Sequence, residues 1–101
     1  MSHLNSDLLK LITLAEQDAH HLACYRRDFN KLTPEQRRHA ASLGNGIGMQ
    51  FAHLARCASE AGATAHAAMW HSEATRFFDA AAIDEVGADL ADYTAELVTS
   101  G

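Results

Sequence analysis

Apolar residues recur along the first third of the chain at steps of three, four and seven positions. Such steps place side chains on one face of an α-helix, which has 3.6 residues per turn. At 1.5 Å per residue, a helix over about residues 6–29 would be about 36 Å long. That is long enough for one end to project or to pair with a second copy. The pattern predicts this helix with the following apolar stripe: Leu4, Leu8, Leu11, Ala15, Ala19, Leu22 and Phe29.

The next part of the chain opens with a helix-start signal, Thr33-Pro34-Glu35-Gln36. Threonine caps a helix, proline suits its first position, and Gln36 can complete a capping box. We expect this second helix to reach about Leu43. We expect it to end at Gly44-Asn45-Gly46, because glycine suits the left-handed position that follows a helix.

Further helical stripes fill the rest of the chain. A third helix is predicted over about residues 47–61 and ends at Gly62, and a fourth starts at Thr64. The last helix covers about residues 84–98. No glycine or proline separates it from the fourth helix at residues 80–82, so the two are either one helix or two. The apolar stripe of the last helix consists of Ile83, Val86, Leu90, Tyr93 and Leu97.

The composition agrees with helix throughout. Alanine is abundant, proline occurs once, and no run alternates as a strand does. The sequence therefore predicts an all-α fold, a compact bundle of four to five helices with a long N-terminal helix. A chain of 101 residues fits one domain, so we expect a single helical domain over residues 1–101.

Targeting signals and cysteine use narrow the cellular setting. No apolar run approaches about 18 residues, and residues 1–7 lack the basic and apolar segments of a signal peptide. The two cysteines make no disulfide framework. We therefore expect a cytoplasmic protein with reduced thiols and no membrane contact.

The charge is distributed unevenly along the chain. The formal net charge is -5, but residues 73–101 carry seven acids and one base, whereas residues 1–72 carry six acids and seven bases. The negative excess therefore lies at the C-terminal end. A net acidic chain is unlike a general nucleic-acid binder, which is normally basic, so direct nucleic-acid binding is not expected.

Four of the acids form a stripe on the last helix: Glu85, Asp89, Asp92 and Glu96. Like charges at such spacing destabilise a helix by about 0.2–0.5 kcal/mol per pair, and acids near a helix C-terminus oppose its dipole. Two interpretations follow. Either the stripe is a solvated face, free to pair with the chain's own basic segment, or it docks on a basic surface of a partner.

The basic segment surrounds the turn between the first two predicted helices. It could contact nucleic acid, but it is small, and pairing with the acidic stripe or across a dimer fits the charge balance better. Its members are Arg26, Arg27, Lys31, Arg37 and Arg38.

Two histidine–cysteine pairs stand four residues apart. His20 with Cys24 and His53 with Cys57 each present two ligands on one helix face, so two such helices side by side could close a tetrahedral zinc or copper site. The spacing differs from the usual zinc signatures. The alternative is that the cysteines are small half-buried residues and the histidines lie at the surface.

These features favour a binding protein over an enzyme, because no convergent acid–base pair is implied. The expected function is to bind and modulate or inhibit a larger macromolecule by docking the acidic helix on a basic protein surface. Size, acidity and helicity are similar in kind to small inhibitors, immunity proteins and phage-encoded antagonists. We expect self-association as a homodimer, and no cofactor. The alternative function is a zinc- or copper-binding helical bundle.

Overall fold

The computed structural model describes the backbone of residues 2–100 and the side chains of residues 7–28 and 31–99. Residues 2–100 form three α-helices, α1 (Ser2–Tyr25), α2 (Pro34–Glu60) and α3 (Thr64–Ser100), with a 3₁₀ segment at Arg26–Lys31 between α1 and α2. The all-helical class is therefore confirmed. The predicted count of four to five helices is wrong, because the expected break at residues 44–46 does not occur and the helix that contains residues 80–82, which the sequence left as one or two, is continuous.

The start of α2 follows the sequence prediction. The Gln36 amide donates to the Thr33 hydroxyl at 3.1 Å, and the Thr33 amide donates to the Gln36 side-chain carbonyl at 2.8 Å. Pro34 occupies the first turn. These bonds satisfy amides that a helix start otherwise leaves without partners.

The expected break at Gly44-Asn45-Gly46 does not occur, since α2 runs through it. Gly44 and Gly48 are buried and face α3. A Cβ atom on Gly48 would lie 2.7 Å from the ring of Phe78, and one on Gly44 would lie 3.5 Å from the Cβ of Ala81. Gly48 therefore lets the Phe78 ring approach the α2 backbone, whereas a Cβ atom on Gly44 would make ordinary van der Waals contact. Neither glycine ends the helix.

The true break lies at Gly62, as predicted. Gly62 has a φ of 79°, and its amide donates to the carbonyl of Ser59. The amide of Ala63 donates to the carbonyl of Ala58 at 2.8 Å. These bonds satisfy carbonyls at the end of α2 and reverse the chain into α3.

The sequence left open whether the last two predicted helices are one, and α3 continues without interruption through residues 80–82. Alanine is the best helix former, so a run of three alanines joins the two predicted helices. The resulting helix of 37 residues is about 55 Å long. The first helix is also displaced from its prediction, because α1 ends at Tyr25 and the chain kinks at Asp28.

The three helices run up, down and up. The Asp18 carboxylate of α1 accepts from the Gln50 amide group at 3.0 Å, and the Phe51 ring of α2 stacks on Phe77 of α3 at 5.7 Å. Between them lies a core built largely of small residues, in which alanine supplies eight of the thirteen buried apolar side chains in the described part of the chain. Its larger members are Leu22, Ile47, Phe51, Leu54 and Trp70.

The molecule is elongated, so the expectation of a compact bundle is wrong as well. Its extents are 65 × 20 × 14 Å and its radius of gyration is 17.1 Å, compared with about 13 Å for a globular domain of 100 residues. The length comes from α3, which runs past the start of α2. Over residues 2–100, no helix is both long and apolar enough to cross a membrane.

Candidate binding surface

The second half of α3 has three distinct faces. Small or well-packed residues face α1 and α2, and among them Ala81, Asp84 and Ala88 are fully buried. At 100° per residue, the predicted apolar stripe lies about 180° around the helix from this buried face. The acidic stripe lies between them, about 75° from the buried face and about 110° from the apolar stripe.

The apolar stripe is therefore on the outside of the molecule. We call it the outer stripe, and each of its side chains is between 55% and 66% exposed. Exposed apolar residues are common singly, but a contiguous row of large ones marks an interaction site. The outer stripe consists of Ile83, Val86, Leu90, Tyr93 and Leu97.

The face of α3 that carries the outer stripe, here called the outer face, changes from polar to apolar along the helix. Before the outer stripe it carries Ser72, Arg76 and Asp79, which are polar and exposed. From residue 83 onwards it carries the outer stripe. The polar half is suited to water, so the change at about residue 80 marks the start of the surface that favours a covering partner.

The acidic stripe is exposed but not wholly unpaired. The Arg38 guanidinium on α2 donates to Asp89 at 2.9 Å and to Asp92 at 2.6 Å. These two carboxylates raise the pKa of Arg38 by accepting its hydrogen bonds. Their side chains nevertheless remain 74% and 51% exposed. The pairing with the chain's own basic segment, which the sequence left open, thus exists for Asp89 and Asp92.

The other two acids lie at the ends of the acidic stripe. Glu85 and Glu96 are both exposed. The four carboxylates span about 16 Å along the helix, at 1.5 Å per residue. Together with the Arg38 guanidinium, they carry a formal charge of -3, from four negative charges and one positive charge.

The basic segment does not form one surface. Arg26 turns inward to an ion pair with Asp84, whose side chain is fully buried. The Arg37 guanidinium lies over Gly87, where a Cβ atom would be 2.6 Å from it. Arg38 binds the acidic stripe, while Arg27 and Lys31 are exposed. The predicted patch is therefore divided between separate contacts with α3 and the solvent.

The two histidine–cysteine pairs form separately. The Cys24 sulfur lies 3.6 Å from Nε2 of His20, and the Cys57 sulfur lies 3.7 Å from Nε2 of His53. Among the described residues, no three His, Cys, Asp or Glu side chains are placed to hold one metal ion. Arg56 also lies 3.2 Å from Nδ1 of His53, and its positive charge opposes a metal cation there.

The outer stripe is the feature whose meaning the sequence did not reveal. Its spacing predicts a helix correctly, but an apolar row is usually assigned to the core. The signal that distinguishes the buried face of α3 from its exposed face is a row of small residues on the buried face, which includes Ala81 and Ala88. A helix with small residues on one side and large ones on the other packs closely on its own chain with the small side.

In comparisons with known proteins, no family model, curated protein or solved structure matches the chain.

Proposed function

We propose that this protein is a non-enzymatic binding protein that docks the acidic stripe of α3 on a basic surface of a larger protein and so modulates or inhibits it. One observation carries the proposal. Asp89 and Asp92 are held in place by Arg38, yet their side chains stay mostly exposed. A charged group that is already oriented loses less conformational entropy on binding, which favours recognition by a partner.

The charge of the surface indicates the class of partner. Several carboxylates within about 16 Å along one helix attract Lys and Arg side chains and accelerate encounter with them. If the basic surface normally holds nucleic acid, the acidic stripe would occupy it in place of phosphates. Inhibition would then come from competition for the same cations.

The test is capture of partners from extracts of the cells that encode the protein, with quantitative mass spectrometry. The test variant is Glu85→Gln/Glu96→Gln, which removes two charges of the acidic stripe and leaves the Arg38 contacts in place. The matched control is Glu16→Gln/Glu60→Gln, which removes two exposed charges elsewhere. We expect a basic protein to be captured by the wild type and the control and to be depleted about tenfold with the test variant.

Equal capture by both variants would contradict the proposal, since the acidic stripe would then have no special part in the binding. With the purified pair, direct competition by nucleic acid would show that inhibition works by charge mimicry as well as by binding. Circular dichroism verifies that each variant keeps the helical content of the wild type.

A metal-binding function is the second candidate, and the two thiol–imidazole contacts at 3.6 and 3.7 Å are the observation in its favour. Each pair supplies only two ligands, so a closed tetrahedral site would need both pairs to meet. Elemental analysis of untagged protein decides between the candidates. A binding protein of the first kind contains less than about 0.1 equivalent of zinc or copper and melts unchanged after chelation.

A further inference from the structure

The outer stripe is a surface that the proposed function does not use. We propose that it is the contact surface of an antiparallel homodimer, in which the second half of α3 pairs with the same segment of a second copy. The stripe carries no charge and lies about 110° from the acidic stripe. The proposal therefore holds whether or not the acidic stripe has a partner.

The exposed area of one chain is large enough for such a dimer. Its accessible surface is 6985 Å², about 1,400 Å² more than a compact monomer of this mass exposes. A stable interface takes about 800 Å² from each partner. Pairing through the outer stripe would thus remove more than half of this excess surface.

The spacing of the outer stripe fits helix pairing. Its members follow one another at steps of three, four, three and four residues, from Ile83 to Leu97. This is the heptad spacing of a coiled coil, in which side chains of one helix fit between those of the other. The α1 and α2 helices pack on the opposite side of α3, so they leave this face open to a second helix.

The polar residues that precede the outer stripe on α3 indicate whether the two helices pair parallel or antiparallel. In a parallel pair, the contact would continue towards the N-terminus of α3 and place Arg76 beside Arg76 and Asp79 beside Asp79. Like charges so placed destabilise the pair. In an antiparallel pair, these residues lie beyond the outer stripe of the second copy, away from their own counterparts, and they remain in water.

One antiparallel register aligns the apolar residues. When Leu90 lies level with Tyr93 of the second copy, Val86 lies level with Leu97 of that copy. The twofold symmetry then repeats both pairs, so apolar layers follow one another from Val86 to Leu97. The same symmetry places the two acidic stripes on one side of the dimer, so the acidic surface offered to a partner is doubled.

Sedimentation of the untagged full chain over a range of micromolar concentrations tests the dimer. We expect the wild type to have twice the mass of one chain. The variant Leu90→Lys/Tyr93→Lys, which changes two exposed residues, should sediment as a monomer that keeps the helical core and loses helix only towards the end of α3. The control Leu9→Lys/Met49→Lys changes two residues that are 63% and 67% exposed outside the stripe, and it should remain a dimer.

A monomeric wild type, or a dimer that the stripe variant leaves intact, would overturn the proposal. Orientation is tested by disulfide formation in a background with Cys24→Ser and Cys57→Ser. Chains carrying Val86→Cys should join chains carrying Leu97→Cys, because a disulfide needs Cα atoms within about 7 Å. Val86→Cys chains should not join each other, since antiparallel pairing separates them by about 16 Å. Efficient joining of Val86→Cys chains to each other would overturn the antiparallel arrangement.

Discussion

Arg26 and Asp84 form an ion pair whose carboxylate is fully buried. The pair joins the segment after α1 to the middle of α3. Neither carboxylate oxygen of Asp84 has a well-oriented hydrogen bond within the described residues. The opposite charge of Arg26 therefore offsets the desolvation of this carboxylate.

Removing the charge of Asp84 should destabilise the protein strongly. We expect Asp84→Asn to lower the free energy of unfolding by about 3–5 kcal/mol, because it leaves a largely buried guanidinium without its partner. Urea denaturation followed by circular dichroism measures the loss. Asp79→Asn, at an exposed position of the same helix, is the control and should change little. A loss as small as the control's would show that the pair does not support the fold.

The glycines of α2 have different roles that alanine substitution separates. Gly46 lies on an open helix face, where an added Cβ atom would meet nothing within 4 Å, whereas Gly48 lies against the Phe78 ring. Gly46→Ala should stabilise the protein by about 0.5–1 kcal/mol through the higher helix propensity of alanine. Gly48→Ala should lack this gain, because the ring must move. Equal stabilisation in thermal denaturation would contradict close packing at Gly48.

Between elements, Arg38 links α2 to the acidic stripe of α3. The structure predicts different effects of Arg38→Gln on stability and on binding. The contact is exposed, so stability should fall little. Affinity for a basic partner should fall, because Asp89 and Asp92 lose the contact that orients them before binding. Titration calorimetry with the captured partner measures the change, and increased affinity would contradict the part given to orientation by Arg38.

Sequence signals predicted the helix ends that depend only on interactions between neighbouring residues. The capping box of Thr33 and the left-handed turn at Gly62 depend on neighbouring residues alone, and both are confirmed. Gly44 misled the prediction because the same residue type that ends a helix also permits close packing of two helices. At Gly44 the helix continues on a buried face, where an added Cβ atom would lie 3.5 Å from the Cβ of Ala81.

The sequence patterns could not establish contacts between residues that are far apart along the chain. Arg38 and Asp92 are 54 positions apart, so their pairing could be considered but not established. The sequence predicted that the outer stripe forms one face of a helix, but it did not show whether that face is buried or exposed. Since α3 is apolar on two opposite faces, periodicity alone cannot say which one the chain itself covers.

The whole molecule is organised around α3. The first half of this helix closes an alanine-rich core with α1 and α2, and its second half carries the acidic stripe and the outer stripe. Residues 91–99 are exposed, and a helix end without packing frays in water. This segment must therefore be covered in solution if it is to stay helical.

Amide hydrogen exchange along α3 distinguishes a covered helix from a fraying one. Mass spectrometry of the untagged chain should find residues 86–97 protected in the wild type, with protection that increases with protein concentration. In Leu90→Lys/Tyr93→Lys the same amides should exchange about tenfold faster, while those of residues 70–81 in the core stay protected. Equal exchange in the two proteins, or rapid exchange of residues 86–97 at every concentration, would show that no second chain covers the outer stripe.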